Sequence, residues 1–335
     1  SWEWDFGLGE GISSQENPEH VYETGGVKNI KLTAETVNGC VNELARQDTL
    51  AKRPVSDFTW EDDCFYDNEN LILIDNSSLT ESVDTAFWMV NGDTLAGVNL
   101  SNPDAAYLKT IAEGPGVISV DYQLKTFLPG CFDVESKHIY IRPVYAIKDM
   151  DYIEGFEGDS LGWVVDGDPA NTWKVEAPAF IDDLPSDSIW YTGIPTGDLV
   201  NYSVESPCFD FREVKRPMIS MDIIRAFDKG RDGAVLQYKE GNSLEWNNIG
   251  GADFGINWYL NSNISGRPGG SVVGWSPDAD DDSLVLARQY LDELIDMKDV
   301  KFRVAYGSDG NAIQTFGFAF DNVWIGAVSY THLRA

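Results

Sequence analysis

Trp4-Asp5-Phe6-Gly7, then Asn17-Pro18, then Gly26 opening Val27-Lys28-Asn29-Ile30-Lys31-Leu32-Thr33, then Gly39-Cys40: this order decides the fold, because the chain repeats it. Residues 87–131 run Phe87-Trp88-Met89-Val90, Asn102-Pro103, Gly116 opening Val117-Ile118-Ser119-Val120-Asp121-Tyr122, and Gly130-Cys131. Alternation of apolar and polar residues predicts half-buried strands, and the Gly and Asn-Pro steps predict turns between them. A fixed order of motifs repeated in one chain marks repeated supersecondary units. Short strands at a spacing of about ten residues, without a helical period, predict an immunoglobulin-like sandwich for each copy. Only the second copy has its preceding segment, from Phe58 through Cys64 to Leu71-Ile72-Leu73-Ile74, so the first copy reads as lacking its N-terminal part.

Composition limits what such a chain can do. The 335 residues are 43% apolar and include 11 Trp, enough to bury real cores rather than remain disordered. Fifty-five acidic residues against 24 basic give a formal charge of −31, which disfavours nucleic acid, since phosphate binding needs clustered Lys and Arg. The acidity is spread through the whole chain and favours solubility. No apolar run approaches the roughly 20 residues of a membrane span. The eight residues from Val328 to Ala335 break the preceding pattern and read as a non-native tail.

The first copy resembles a PKD domain, on Trp4, Asp5, Phe6, Gly7, Gly9, Asn17, Pro18 and Tyr22; Leu8 and Val27 depart from the family pattern. The second copy is more divergent, with Val90-Asn91-Gly92-Asp93 in the corresponding turn, and is similar to the variant found in secreted multidomain proteins of Bacteroidota. The expected modules are therefore a truncated PKD-like domain over residues 1–55 and a second over 56–147. Within the second, the repeat places Cys64 and Cys131 where a sandwich could join them, a bond worth about 4–5 kcal/mol by loop-closure entropy. Cys40 stands at the equivalent of Cys131, its partner expected in the missing segment. Cys208, in Ser206-Pro207-Cys208-Phe209-Asp210, reads as a buried thiol. A disulfide implies an oxidising, extracellular compartment.

After the linker Arg142-Pro143-Val144 the texture changes, and seven of the 11 Trp fall between 163 and 324. Strands are predicted at Met218–Phe227, Ala234–Tyr238, Val300–Tyr306 and Phe316–Ile325, and a short helix or turn within Leu284–Met297, where Tyr290, Leu291, Leu294 and Ile295 share a helical spacing. These suit a larger β jelly roll over 150–327. In the last strand Phe316, Phe318 and Phe320 share one parity while Val323 and Ile325 share the other, which predicts a β-bulge at Asp321-Asn322. This module resembles MAM-like, concanavalin-like jelly rolls, on Phe156-Glu157, Gly162-Trp163, Trp173, Ser206–Asp210, Asp232–Tyr238, Gly274-Trp275 and Gly317–Val323, though without the cysteine set of animal MAM domains. The whole is thus expected to be all-β: two Ig-like sandwiches followed by a jelly roll.

Motifs for chemistry are sparse. His20, His138 and His332 lie far apart in sequence, with His20 expected to pack, and no zinc-protease, nucleophile-elbow or phosphate-loop motif occurs. Asp278-Ala279-Asp280-Asp281-Asp282 begins like a calcium loop, but Ser283 and Gln289 occupy the positions that need Gly and Glu, so it reads as a solvated acidic loop. The jelly-roll resemblance implies instead a structural Ca²⁺ held by Glu157 and Asp321. Exposed aromatics, Trp190-Tyr191, Trp258-Tyr259 and Trp275, are candidates for a ligand-stacking platform, set against the reading of Trp as core. The expected function is non-catalytic: adhesion, ligand binding or spacing within a large secreted or cell-surface protein, with an extracellular protein or glycan as partner. The alternatives are an accessory, substrate-binding region of a secreted hydrolase such as a protease, and a carbohydrate-binding module.

Overall fold

The computed structural model describes residues 1–50, 54–61, 63–64, 72–78, 83–94, 116–126, 132–158, 162–165, 172–177, 188–193, 199–241, 243–260, 263–277, 283–310 and 317–328. Cys131, Asn102-Pro103, the acidic run 278–282, Phe316 and His332 lie outside them. The architecture is all-β, and the chain forms two compact units.

The first unit holds residues 1–61, 70–113 and 117–140. Its N-terminal sheet comprises β1 (Trp2–Asp5), β2 (Ile12–Ser13), β3 (Gly26–Glu35) and β4 (Val41–Leu50) in the order β2-β1-β3-β4. The β3–β4 hairpin is in unbroken register from Gly26↔Leu50 to Glu35↔Val41. Phe6 is the one buried side chain of this sheet and its loops. His20 stacks on Phe6 with ring centroids 4.1 Å apart and takes Tyr22 edge-on, while Tyr22 Oη donates to the Phe6 carbonyl. His20 is thus a packing residue, as its place in the Asn-Pro step suggested.

Next come β5 (Phe58–Glu61) and β6 (Ile72–Asp75), which pair with each other, and β7 (Val83–Val90), β8 (Asp93–Thr94), β9 (Gly116–Thr126) and β10 (Phe132–Ile141), in the order β10-β9-β7-β8. Their core is aromatic: Trp88 stacks on Tyr122 at 4.0 Å and Phe58 meets Trp88 edge-on at 5.3 Å. Trp88 and Tyr122 are alternating positions of the repeat, Phe58 comes from the segment before it, and each buried ring contributes about 1.5–3 kcal/mol of transfer free energy. His138 is exposed on β10.

The second unit, residues 62–69, 114–116 and 141–335, has two six-stranded sheets. Its strands are β11 (Val144–Ala146), β12 (Tyr152–Glu154), β13 (Val164–Val165), β14 (Lys174–Glu176), β15 (Ile189–Tyr191), β16 (Leu199–Asp210), β17 (Pro217–Ala226), β18 (Gly233–Glu240), β19 (Asn247–Asn248), β20 (Val285–Tyr290), β21 (Val300–Asp309) and β22 (Gly317–Ala327). One sheet runs β11-β16-β21-β18-β19 with β13 on β16; the other runs β14-β15-β22-β17-β20 with β12 on β22. Inward residues of both sheets form one core, including Ile219, Met221 and Ile223 of β17 against Val204, Phe302 and Val304 of the opposite sheet. The helical spacing in Leu284–Met297 resolves differently: β20 occupies its first half, and a single 3₁₀ turn at Asp292–Leu294 buries Leu294. Tertiary pairing with β17 overrode the local period.

The bulge on β22 stands where the parity slip placed it. Ser220 and Asp222, two residues apart on β17, face Trp324 and Asp321, three apart on β22, and Asn322 adopts φ +48°. The extra residue lets Phe318, Phe320, Val323 and Ile325 all reach the core. It also turns Trp324 outward.

The disulfide differs from expectation. Cys64 is bonded to Cys208, with Cα atoms 5.8 Å apart, and not to Cys131; Cys40 is free and exposed. The cause lies in where residues 63–64 run. Cys64 bridges to Arg142 beside the start of β11, and β11 pairs in parallel with β16 so that Val144 faces Cys208. At Ser206-Pro207 the register of β16 on β21 shifts, since Pro207 has no N–H for the ladder, and the Ser206 carbonyl accepts from Arg142 Nη1 at 2.7 Å. Cys208 is therefore a buried half-cystine rather than a buried thiol.

Candidate functional site

Trp190, Trp258, Tyr259 and Trp275 are buried to 5% exposure or less, as is Tyr191, so they form no stacking platform. Trp275 stacks on Phe318 at 5.3 Å and takes Trp258 and Tyr259 edge-on. Tyr259 Oη donates to the Leu236 carbonyl and accepts from the Leu236 N–H, both at 2.9 Å; Trp258 Nε1 donates to the Ile249 carbonyl. Burial pushes the Tyr259 phenol far above its usual range. These aromatics anchor the 249–259 loop to the core.

That loop builds the rim of an open trough on the outer face of the second sheet. The trough encloses about 430 Å³ between Met218, Ser220, Gly255, Ile256, Arg288, Tyr290 and Trp324. Strand register sets its cross-section. Ile153 of β12, Trp324 of β22, Ser220 of β17 and Arg288 of β20 stand in one row across four strands, and Ile256 extends it by bridging to Arg288. The next outward row holds Gly326, Met218 and Tyr290. Trp324 and Arg288 are thus two strand spacings apart, roughly 10 Å, with the small Ser220 as floor between them. On β17 the alternation is strict: Ile219, Met221 and Ile223 face the core, Met218 and Ser220 the trough.

Each wall is held in place. The Trp324 indole N–H donates to Asp151 Oδ2 at 3.1 Å, and a Cβ at position 326 would fall 2.5 Å from Trp324 Cζ2, so Gly326 lets the indole lie across the sheet. On the other side, Ile256 N donates to the Arg288 carbonyl and Arg288 N to the Ile256 carbonyl, both at 2.9 Å. Gly255 has φ +84°, and a Cβ there would meet the Arg288 carbonyl at 2.5 Å; only glycine allows this approach. The Ser220 hydroxyl and the Arg288 guanidinium make no side-chain hydrogen bond or ion pair among the described residues. Tyr290 is half exposed.

The acidic pair at the edge of this sheet also differs from expectation. Asp321 is buried, but Glu157 is exposed; the carboxylate that β12 brings toward the β22 bulge is Glu154, 5% exposed and opposite Val323. Phe156 takes φ +56°, which turns the chain away before Glu157. Glu154 Oε1 accepts from the Phe156 N–H at 2.7 Å, while the buried Oε2 has no hydrogen-bond partner among the described residues. Burial, with Asp321's charge added, pushes the Glu154 carboxyl up, against the Phe156 and Gly155 N–H groups. A buried, orphaned carboxylate oxygen beside a second acid fits a hard cation, which takes oxygen ligands. Such an ion would offset the charge of the pair and tie β12 to β22.

The other cluster of metal-type donors among the described residues, Asp63, Cys64 and Cys208, is not a metal site, since both sulfurs are in the disulfide. Asp63 is held by Lys301 Nζ and by Arg142 Nε at 3.2 Å, and Arg142 Nη2 donates to Glu205 at 2.7 Å. Burial works to raise the Asp63 carboxyl, but Lys301 and Arg142 together outweigh it and hold it below its usual value.

Residues 1–51 match the model of the PKD domain family. No curated protein sequence matches the chain. Among solved structures, the K1 cleaved adhesin domain of Lys-gingipain from Porphyromonas gingivalis is similar at 14% identity over 54% of this chain and 99% of that one, with a TM-score of 0.32. The carbohydrate-binding module CBM27-1 of Caldicellulosiruptor saccharolyticus, solved with mannohexaose, is similar at 11% identity over 53% of this chain and 97% of that one, with a TM-score of 0.32.

Proposed function

We propose that this chain is a non-catalytic ligand-binding region of an extracellular multidomain protein, and that the trough over β17, β20 and β22 is its binding surface. The observation that carries the reading is the row Trp324–Ser220–Arg288. It joins an aromatic wall, a hydroxyl floor and a guanidinium, the last two without side-chain partners among the described residues, on a rigid sheet whose rim is fixed by Gly255 and the aromatic cluster beneath it. Binding sites are concave and mostly apolar, about 300–1,000 Å³ in volume, with a few placed polar groups. The Cys64–Cys208 disulfide supports an oxidising compartment, and the PKD match supports a modular chain. An adhesin and an accessory module beside a hydrolase would both use this surface. A Ca²⁺ ion at Glu154 and Asp321 belongs to the same reading as a structural ion. The test is binding of the full chain to immobilised matrix proteins and polysaccharides, with Ser220→Phe filling the floor. Binding lost in the variant supports the reading; binding equal in both, or none at all, overturns it.

A further inference from the structure

We infer that the occupant of the trough is a neutral saccharide, its ring face laid on Trp324 and its hydroxyl edge bonded by Arg288 and Ser220. This rests on the reading of the trough as the ligand surface and adds the ligand's chemistry.

Three features point that way. First, the site lies on the face of a sheet and not at an open edge. At Arg288 the outer edge of β20 spends both backbone groups on Ile256, so a peptide could not add there as a further strand. Second, the β17 floor between the walls is Ser220 with Met218 one row along, and the Ser220 hydroxyl and Arg288 guanidinium lack side-chain partners among the described residues, whereas an apolar helix face would want a floor that is apolar throughout. A pyranose has the matching halves: C–H groups on the ring face for an indole, and vicinal hydroxyls around the rim for a planar guanidinium fork. Trp324 suits the first role because its N–H is already satisfied by Asp151 and its ring lies across Gly326. Tyr290, half exposed beside Met218, extends the apolar wall by one residue pair along the strands.

Third, the surroundings select against an anion. Asp222 faces Asp321 across the strands on one side of the Ser220 row, Asp151 holds Trp324 on the other, and the chain carries −31 overall. A uronic or sulfated glycan would approach against that field, which outweighs the single guanidinium at long range. The Arg288 fork is therefore read as a hydroxyl donor and not as a carboxylate clamp.

The experiment is titration calorimetry of the full chain with hexasaccharides of β-1,4-linked mannose, glucose and xylose, and with an oligogalacturonate. Arg288→Ala, Tyr290→Ala, Trp324→Ala and Ser220→Phe are run alongside, with a thermal melt for each. One or more neutral hexasaccharides should bind, about tenfold or more weaker in the Trp324, Arg288 and Ser220 variants, on the scale of losing an anchoring contact. Arg288 and Tyr290 are exposed, so their variants test the site even if Trp324→Ala melts early. Binding of the oligogalacturonate alone overturns the neutral ligand. Binding unaffected by Arg288→Ala and Ser220→Phe places the sugar elsewhere and also overturns it. If no sugar binds while a matrix protein does so in a Ser220-dependent manner, the inference fails and the broader reading stands; if neither binds, both fail.

Discussion

Removing the Cys64–Cys208 bond is the perturbation whose cost follows most directly from the structure. The bond spans a sequence separation of 144 residues. In the chain-entropy account, closing a loop of that length removes about 17 cal/mol/K from the unfolded chain, or about 5 kcal/mol at 25 °C. Native domains keep only about 5–15 kcal/mol in total, so the loss rivals the net stability of the second unit. Without the bond, residues 63–64 keep the Arg142 N–H donating to the Asp63 carbonyl and the Asp63 ion pairs, which must hold the segment alone. The clean variant is Cys64→Ala with Cys208→Ala, which leaves no orphaned thiol. Urea unfolding followed by tryptophan fluorescence reads the result, the second unit carrying seven of the 11 Trp. With a slope of about 2–3 kcal/mol/M, the midpoint of that unit should fall by about 2 M. Reduced wild type should reproduce the shift, and Cys40→Ala, at an exposed free cysteine, should change stability by no more than about 0.5 kcal/mol. A midpoint that holds within about 0.3 M in both the double variant and the reduced protein would refute the staple.

Further outcomes follow from the same structure. Asp63→Asn leaves Lys301 and Arg142 buried without their shared carboxylate and should cost about 3–5 kcal/mol in urea melts. The Asp63 carboxyl sits lower folded than unfolded, so its contribution is present above the unfolded pKa of about 3.9 and fades as pH falls through the folded value. The acid limb of the stability–pH curve should be shallower in the variant, and an identical limb would show that Asp63 adds nothing. Calcium at about a hundred times its dissociation constant should add about 2.7 kcal/mol and raise the melting temperature of the second unit by roughly 5–10 °C. EDTA and Glu154→Gln should each abolish that rise, while Glu157→Gln should not; an unchanged melt with Ca²⁺ removes the ion from the account. Gly255→Ala forces a side chain onto φ +84° against the Arg288 carbonyl, and should cost about 1–3 kcal/mol and loosen the trough rim. Faster amide exchange at Ile256 and Arg288 would register the change, and a wild-type rate there would contradict it.

The parts of this molecule legible in sequence are those written in strand periodicity. The parity slip between Phe320 and Val323 announced the bulge, because a strand with both sets of residues inside must carry one extra residue between them. Only in the structure does that bulge show its consequence, Trp324 turned outward as the trough wall. The remaining wall was hidden because register between strands is not periodic. Met218, Ser220, Arg288 and Tyr290 meet Trp324 only once β17 aligns with β20 on one side and β22 on the other. The candidate platform failed for a different reason. Trp258, Tyr259 and Trp275 lie outside the long strands, where no alternation tells inside from outside, and their polar atoms found backbone partners in the core. The exposure of Glu157 was not legible because the left-handed backbone at Phe156 turns the chain after β12, leaving Glu154 as the buried acid opposite β22. The cysteine pairing was misread because the repeat suggested a bond within one module, whereas residues 63–64 run beside Arg142, next to β11 and β16.

The central claim, that ligand is received on the outer face at Trp324 and not in the tryptophan-rich core, has a direct measurement in the indole N–H resonances of the ¹⁵N-labelled full chain. On titration with the neutral hexasaccharide that binds best, the Trp324 signal should shift and saturate, while those of the buried Trp163, Trp258 and Trp275 stay in place. A titration in which the Trp324 signal stays fixed while a core indole moves would contradict the account.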